Sequence, residues 1–226
     1  MRTLLLVPII HTSADLGSLA KDVTKISVAS FGADILEKHV ASVEKFWAVI
    51  SDYFASIDAS GMKIYQDGML ADGEIAQKIV EEAVKAGSRN FEIVASLLKR
   101  GAILVRTEDF NLLKEERDKL LALTQSKSSI QALIALIKYK FAKHRLLNRR
   151  DEFIARRISD TLRHNEKGIL FIGAYHNIKS RLPGDIEIIE LKDTLKVREY
   201  QQLLPYCKKN KNRFEELGSY LISKIP

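Results

Sequence analysis

Five short runs of almost uninterrupted apolar residues constrain this chain more than any other feature. They are Thr3–Ile10, Met62–Tyr65, Ala102–Val105, Gly168–Gly173 and Ile186–Ile189. A strand with one wet face alternates apolar and polar residues. A run that is apolar throughout is buried on both faces, as the strands of a parallel sheet are. Between these runs the apolar spacing changes to three and four residues. Ile35, Leu36, Val40, Val43, Trp47, Ile50, Phe54 and Ile57 mark one long amphipathic helix. Glu74–Lys85 and Asn90–Lys99 read as two shorter helices, with Gly87 placed to end the first. Strands alternating with helices predict an α/β fold, a mostly parallel sheet flanked by helices.

The stretch 109–164 breaks that alternation. It contains no Pro and no Gly and reads as two helices with a break near Gln125–Ser128. The second, from about Ser128 to Leu162, is roughly 50 Å long at 1.5 Å per residue. Its stripe runs through Ile130, Leu133, Ile134, Ile137, Phe141, Leu147, Ile154, Ile158 and Leu162. This is a long helical insertion between the third and fourth strands, within a single α/β domain spanning 1–226. Its stripe exceeds what one sheet covers, so pairing with a second copy of the chain is an expectation. From Asp193 to Ile225 two further helices flank Pro205. There is no internal repeat and no Gly- or Ser-rich linker.

Composition narrows the chemistry. One cysteine, Cys207, excludes an intramolecular disulfide and a cysteine zinc cluster. With 36 Lys and Arg against 29 Asp and Glu, the formal charge of +7 is basic without marking a nucleic-acid binder. No apolar run reaches the roughly 20 residues of a spanning helix. The N-terminal run continues into His11, Asp15 and Gly17 rather than a small-residue cleavage site. A cytoplasmic protein without a membrane partner is the expectation. Glycine-rich phosphate loops and a G-x-S-x-G elbow are both missing.

Ligands of parallel sheets bind beyond the carboxyl ends of the strands. In strand order, the residues there are His11, Thr12, Ser13 and Asp15; Gln66, Asp67 and Gly68; Arg106, Thr107, Glu108 and Asp109; Tyr175, His176 and Asn177; and Glu190. Two histidines and several carboxylates therefore share one rim. Such a set binds a divalent metal, or it runs acid–base chemistry with a carboxylate orienting the imidazole. No His-x-x-x-His spacing supports the metal directly. Asp151 lies on the apolar stripe of the long helix, between Leu147 and Ile154, and needs a partner there. Its neighbour Arg150 points about 100° away. The basic run Lys138, Lys140, Lys143, His144, Arg145, Arg149 and Arg150 reads as a solvated helix face rather than a phosphate-binding one.

Several strings carry a resemblance. They are Val7–Ser18, Ile64–Gly68, Gly101-Ala102 with Thr107–Asp109, and Arg150–Ile158 followed by Gly168–His176. Together they resemble a family of uncharacterised prokaryotic proteins of this size. More distantly, the order of elements is similar to the TraB, TIKI, erythromycin-esterase and ChaN-like superfamily. That group combines an α/β core and helical insertion with a His after the first strand, an Arg-Asn or Arg-Asp pair in a helix, and a late Gly-x-x-His. The resemblance matches His11, Arg150 and Gly173 with His176 to those positions, and Glu108 to an acidic residue before the insertion. Pro8 stands where the group has Gly.

The leading expectation is a hydrolase-like enzyme. His11, Asp67, Glu108 and His176 are its candidate catalytic residues, with His11 and His176 as candidate ligands of a divalent metal. Arg150, Asp151, Tyr175 and Asn177 are its candidate substrate contacts, for a small molecule or peptide. One alternative is a non-enzymatic, haem-like ligand binder using Tyr175 and His176. The second is a nucleic-acid-associated protein using the basic helix 138–150.

Overall fold

The computed structural model describes residues 1–12, 14–15, 20–124 and 129–225; side chains are described at all of these except 20–23, 26, 30, 120–124 and 129–142. Five parallel strands form one sheet in the order β3-β2-β4-β1-β5: β1 (Arg2–Ile9), β2 (Lys63–Gln66), β3 (Ile103–Val105), β4 (Lys167–Gly173) and β5 (Ile186–Glu190). The chain builds outward from β1 to β3, then returns to insert β4 between β1 and β2. The α/β expectation holds.

The central strands β1, β2 and β4 bury both faces, as unbroken apolar runs require, while the edge strands β3 and β5 leave Ile103 and Ile189 exposed. Along β1, Leu5, Val7 and Ile9 enter one core, while Leu4 and Leu6 enter the other. Along β4, Ile169 and Phe171 face the first core, Leu170 and Ile172 the second. Pro8 is tolerated in β1 for a topological reason. Leu6 accepts from the Leu191 amide beyond β5, so Pro8, two residues on, also points its nitrogen toward the β5 side. The pairing of β1 with β5 has already ended at Leu6, so the missing N–H breaks no ladder bond.

The first core is capped by α2 (Ala33–Ala55), α3 (Gly73–Lys85), α4 (Arg89–Lys99), α7 (Thr194–Leu203) and α8 (Lys211–Ile222), all of which supply buried apolar residues. Phe46, Trp47, Ile50 and Phe54 of α2 form its centre, at the spacing seen in the sequence. A preceding helix, α1 (Ala20–Phe31), is an element that the sequence reading did not include. The proposed break at 125–128 lies outside the described residues.

The second core is covered by the last part of α6 (Ser129–Thr161), through Ile154 and Ile158, with Leu162 just beyond it. This helix runs antiparallel to the strands. Its C-terminal carbonyls at Ser159 and Thr161 accept from Arg2 and Lys63, which begin β1 and β2. Arg150 lies 11 residues before Thr161 (161 − 150), about 16 Å back along the helix axis. The seven residues of β4 span about 20 Å. Arg150 and Asp151 are thus lifted to the carboxyl rim of the sheet. The rest of α6 continues beyond the rim, alongside α5 (Phe110–Thr124).

Candidate functional site

Four segments converge at that rim. Asp67 follows β2, and its amide donates to the Phe171 carbonyl of β4 (2.9 Å), so the chain stays pinned to the sheet past the strand end. Glu108 follows β3. The amides of Thr107 and Glu108 both donate to the Met69 carbonyl, and the Thr107 hydroxyl donates to the Gln66 carbonyl (2.6 Å). These bonds lock the turns after β2 and β3 together and leave Glu108 wholly buried. His176 lies in the turn after β4, with its amide on the Gly173 carbonyl. Arg150 and Asp151 arrive from α6.

Their side chains form one continuous ionic chain. Asp151 Oδ1 lies 2.5 Å from His176 Nδ1, and Asp151 Oδ2 accepts from the Asn177 amide at 2.9 Å. His176 Nε2 faces Asp67 Oδ2 at 3.4 Å. The same Asp67 oxygen accepts from the Gly173 amide at 3.0 Å. Asp67 Oδ1 accepts from Arg150 Nη2 at 2.7 Å. Arg150 then reaches Glu108 Oε1 through Nη2 (2.6 Å) and Nε (3.2 Å), and Glu116 through Nη1 (2.9 Å). Gly173 matters here for its size. A Cβ at that position would lie 3.3 Å from Asp67 Oδ2, so a side chain would crowd that carboxylate, and 3.5 Å from His176 Cδ2, in ordinary contact with the ring.

Electrostatics follow from the alternation of charge. Burial disfavours the charged imidazole of His176, but hydrogen bonds to Asp151 and Asp67 outweigh it and push its pKa up to about 9. Both ring nitrogens face carboxylates, which requires both to carry protons. Burial works against ionised Asp67 as well, yet His176, Arg150 and the Gly173 amide hold its carboxyl well below the usual range. At Glu108 burial wins. It raises the carboxyl to about 7 even though Arg150 opposes it, and the neighbouring Asp67 adds to the rise. The three partners of Arg150 keep its guanidinium charged despite burial.

The sequence expectations divide cleanly. Asp67, Glu108, Arg150, Asp151 and His176 come together. Asn177 takes part through its backbone amide. Tyr175 is exposed and lies under the Arg198 guanidinium, 5.7 Å from its ring centroid. His11 stands apart. It is exposed, and its nearest acidic partner is Asp15 at 4.0 Å. Asp15 itself caps the Thr12 amide and bonds Ser88, which fixes the loop after β1 to the start of α4 rather than to the ionic chain.

Three roles assigned in advance fit this geometry poorly. A metal shared by His11 and His176 has no donor set. Both nitrogens of His176 are committed to carboxylates, and among the described residues no three His, Cys, Asp or Glu side chains converge for an ion. The same commitment leaves no imidazole nitrogen for a haem iron. Arg150 does not offer its fork to a substrate anion, because Glu108, Asp67 and Glu116 already occupy it. On the basic helix, Arg145 and Arg149 lie 3.5 Å from Glu115, and Arg150 turns inward; the side chains of Lys138 and Lys140 lie outside the described residues.

Sequence reasoning missed Glu116. It belongs to α5, and nothing in Lys114-Glu115-Glu116-Arg117 marks one acid over the other. Only the packing of α5 along α6 brings it to Arg150. Arg198 was missed too: from α7 it donates to the Ala174 carbonyl at 2.7 Å and braces the turn that carries His176. No helix of the described residues is long and apolar enough to cross a membrane. Comparison of the chain with family models, curated proteins and solved structures gives no match.

Proposed function

We propose that the chain is a hydrolase-like enzyme whose reaction centre is the chain of Asp151, His176, Asp67, Arg150 and Glu108. One observation carries this reading. Four buried ionisable side chains, Glu108, Arg150, Asp151 and His176, gather around the half-buried Asp67 at the ligand-binding rim of a parallel sheet. Burying so many charges is costly and rarely improves stability over apolar packing. Such clusters concentrate where charge is used.

The two displaced pKa values suggest the roles. An acid and a base whose environments separate them are the mark of an acid–base pair. Glu108, near 7, is ionised just above neutral pH; its Oε2, held by Arg150 only through the 3.3 Å contact from Nε, is the oxygen that would accept a proton from a water admitted to the buried network. His176, near 9, is still an imidazolium at that pH; its Nε2 proton, on the long 3.4 Å contact with Asp67, is the one it would exchange from that carboxylate to a leaving group. Asp151 orients the imidazole, and Arg150 holds Glu108 and Asp67 in register. The resemblance to the TraB and erythromycin-esterase group is consistent with a hydrolytic reaction and supplies Arg150, Gly173 and His176 as shared positions.

A screen of activated esters, phosphoesters and aminoacyl anilides tests the reading. Wild-type turnover is expected to rise above about pH 7 and fall above about 9, following Glu108 and His176. Glu108→Gln and His176→Gln are each expected to lose at least about a hundredfold, within the range for removing a general acid or base, with circular dichroism unchanged. Equal turnover in wild type and both variants overturns the reading, as does a wild type inert toward the whole panel.

A further inference from the structure

We infer that the cleft between the start of α5 and the flank of α6 binds a small organic anion, a carboxylate or phosphate joined to an aromatic or aliphatic group. That this anion is the substrate of the buried network rests on the proposed function; the binding itself does not.

The cleft has a volume of about 320 Å³, at the lower end of the roughly 300–1,000 Å³ of small-ligand sites. Asp109, Asn111 and Leu112 form one wall, and Arg149, Phe153 and Arg156 form the other. Residues 149, 152, 153 and 156 share one face of α6, adjacent to the face that carries Arg150 and Ile154 inward. The cleft also shares its backbone with the network. Asp109 directly follows Glu108, and Arg149 directly precedes Arg150. Its lining is thus continuous in chain with two members of the network.

Its two acids, Asp109 and Glu152, match its two arginines in number, but the acids are more fully engaged than the arginines. Asp109 spends Oδ1 on the amides of Asn111 (2.8 Å) and Leu112 (3.1 Å), capping α5. Glu152, the remaining acid of the lining, is held by Arg181 at 3.2 Å. Arg149 leans on Glu115 at 3.5 Å, but Lys119 and Arg145 share that same carboxylate. Arg156 is exposed and has no acidic partner within 4.0 Å among the described residues. One arginine is therefore free and a second is under-neutralised, on either side of a half-buried phenyl ring. Arg106 lies against that ring, 5.6 Å from its centroid, and adds a third cation nearby. A planar, weakly hydrated guanidinium suits bidentate contact with carboxylate or phosphate oxygens. Phe153 and Leu112 supply the apolar contact for the rest of the molecule.

The test is calorimetric titration of the full chain with phenyl phosphate and, separately, phenylacetate, with benzyl alcohol as the uncharged control. Saturable binding of at least one anion and none of benzyl alcohol is expected, and the anion preferred tells phosphate from carboxylate. Arg156→Gln is expected to weaken binding about tenfold, the usual worth of a charge-assisted contact. Phe153→Ala is expected to weaken it as well. Should Arg156→Gln melt earlier than wild type, Arg156→Lys replaces it, keeping the charge and losing the fork, with a few-fold loss expected. Binding of neither anion overturns the inference, as does equal affinity in wild type and the Arg156 variant. Anion binding without hydrolysis of any substrate removes the proposed reaction centre and leaves this site standing. Hydrolysis of neutral esters without anion binding does the reverse.

Discussion

The two faces of the sheet are held by different physics. On the α2 side, Phe46, Trp47, Ile50, Phe54 and Phe171 make a continuous apolar core that reaches the rim. On the α6 side, Leu4, Leu6, Tyr65, Ile154, Ile158, Leu170 and Ile172 make a smaller one. There the apolar contacts give way, one turn from Ile154, to Asp151 and Arg150 and their partners. The first face gains stability from area removed from water, which is tolerant of pH. The second places charges, and its contribution depends on the protonation of each member. The difference teaches that the α6 face is only partly there to hold the fold.

Removing one residue from each face separates the two most sharply. Arg150→Met leaves Glu108, Asp67 and Glu116 without their shared cation, and a loss of about 3–5 kcal/mol is expected at pH 7. Phe54→Ala, which empties a fully buried site, is expected to cost about 3–5 kcal/mol as well. Urea melts at pH 7 and pH 5 tell them apart. The Arg150→Met deficit shrinks in acid as the stranded carboxylates take up protons, while the Phe54→Ala deficit stays constant. Equal behaviour of the two would erase the distinction between the faces.

The pH response of the wild type sharpens it next. His176 titrates near 9 in the folded protein, against about 6.5 unfolded. Its raised pKa contributes stability that is complete below about pH 6.5 and is lost as pH rises through about 9. Glu108, raised to about 7, works in the same direction between its unfolded value and neutrality. Stability is thus expected to fall from pH 6 to pH 9, by on the order of 2 kcal/mol for His176 alone. Thermal melts of His176→Gln are expected to be flatter over that window; an equally steep decline in the variant would place the titration elsewhere.

A smaller effect concerns α5. Among the described residues its apolar packing on α6 is the Leu112–Leu146 pair, and the rest of its anchorage is ionic, through Glu115 and Glu116. Elements held this way open at low free energy. Glu116→Gln is expected to speed amide exchange in 110–119 several-fold and to leave exchange at Ile154–Leu162 unchanged. Uniform change across both segments would show that the two are one cooperative unit. The smallest effect is at His11. As an exposed side chain outside the ionic chain, His11→Ala is expected to change stability by less than about 0.5 kcal/mol and to leave turnover within twofold. A large loss of activity in that variant would draw the loop after β1 into the site.

Much of the site was legible because the strands were. Once a run is apolar on both faces it belongs to a covered parallel sheet, and the residues after Gln66, Val105 and Gly173 must gather at one edge. Asp67, Glu108 and His176 follow from that rule alone. Asp151 was legible for another reason, as a carboxylate on a buried stripe that requires a partner. His11 obeyed the same strand-end rule and still lies apart. The rule gives the end of a strand but not the direction in which the next loop leaves, and here Asp15 and Ser88 draw that loop toward α4.

The sequence by itself determined the alternation of elements, the parallel sheet, and the composition of its rim, because periodicity and burial are local properties of the chain. Tertiary structure alone decided who partners whom. His176 sits between Asp151, from a helix, and Asp67, from the end of another strand; Arg150 is shared with Glu116 of α5. Each of those pairings joins residues at least 25 positions apart. Their charge states follow from distances of a few ångströms in a dry interior, which no local pattern encodes.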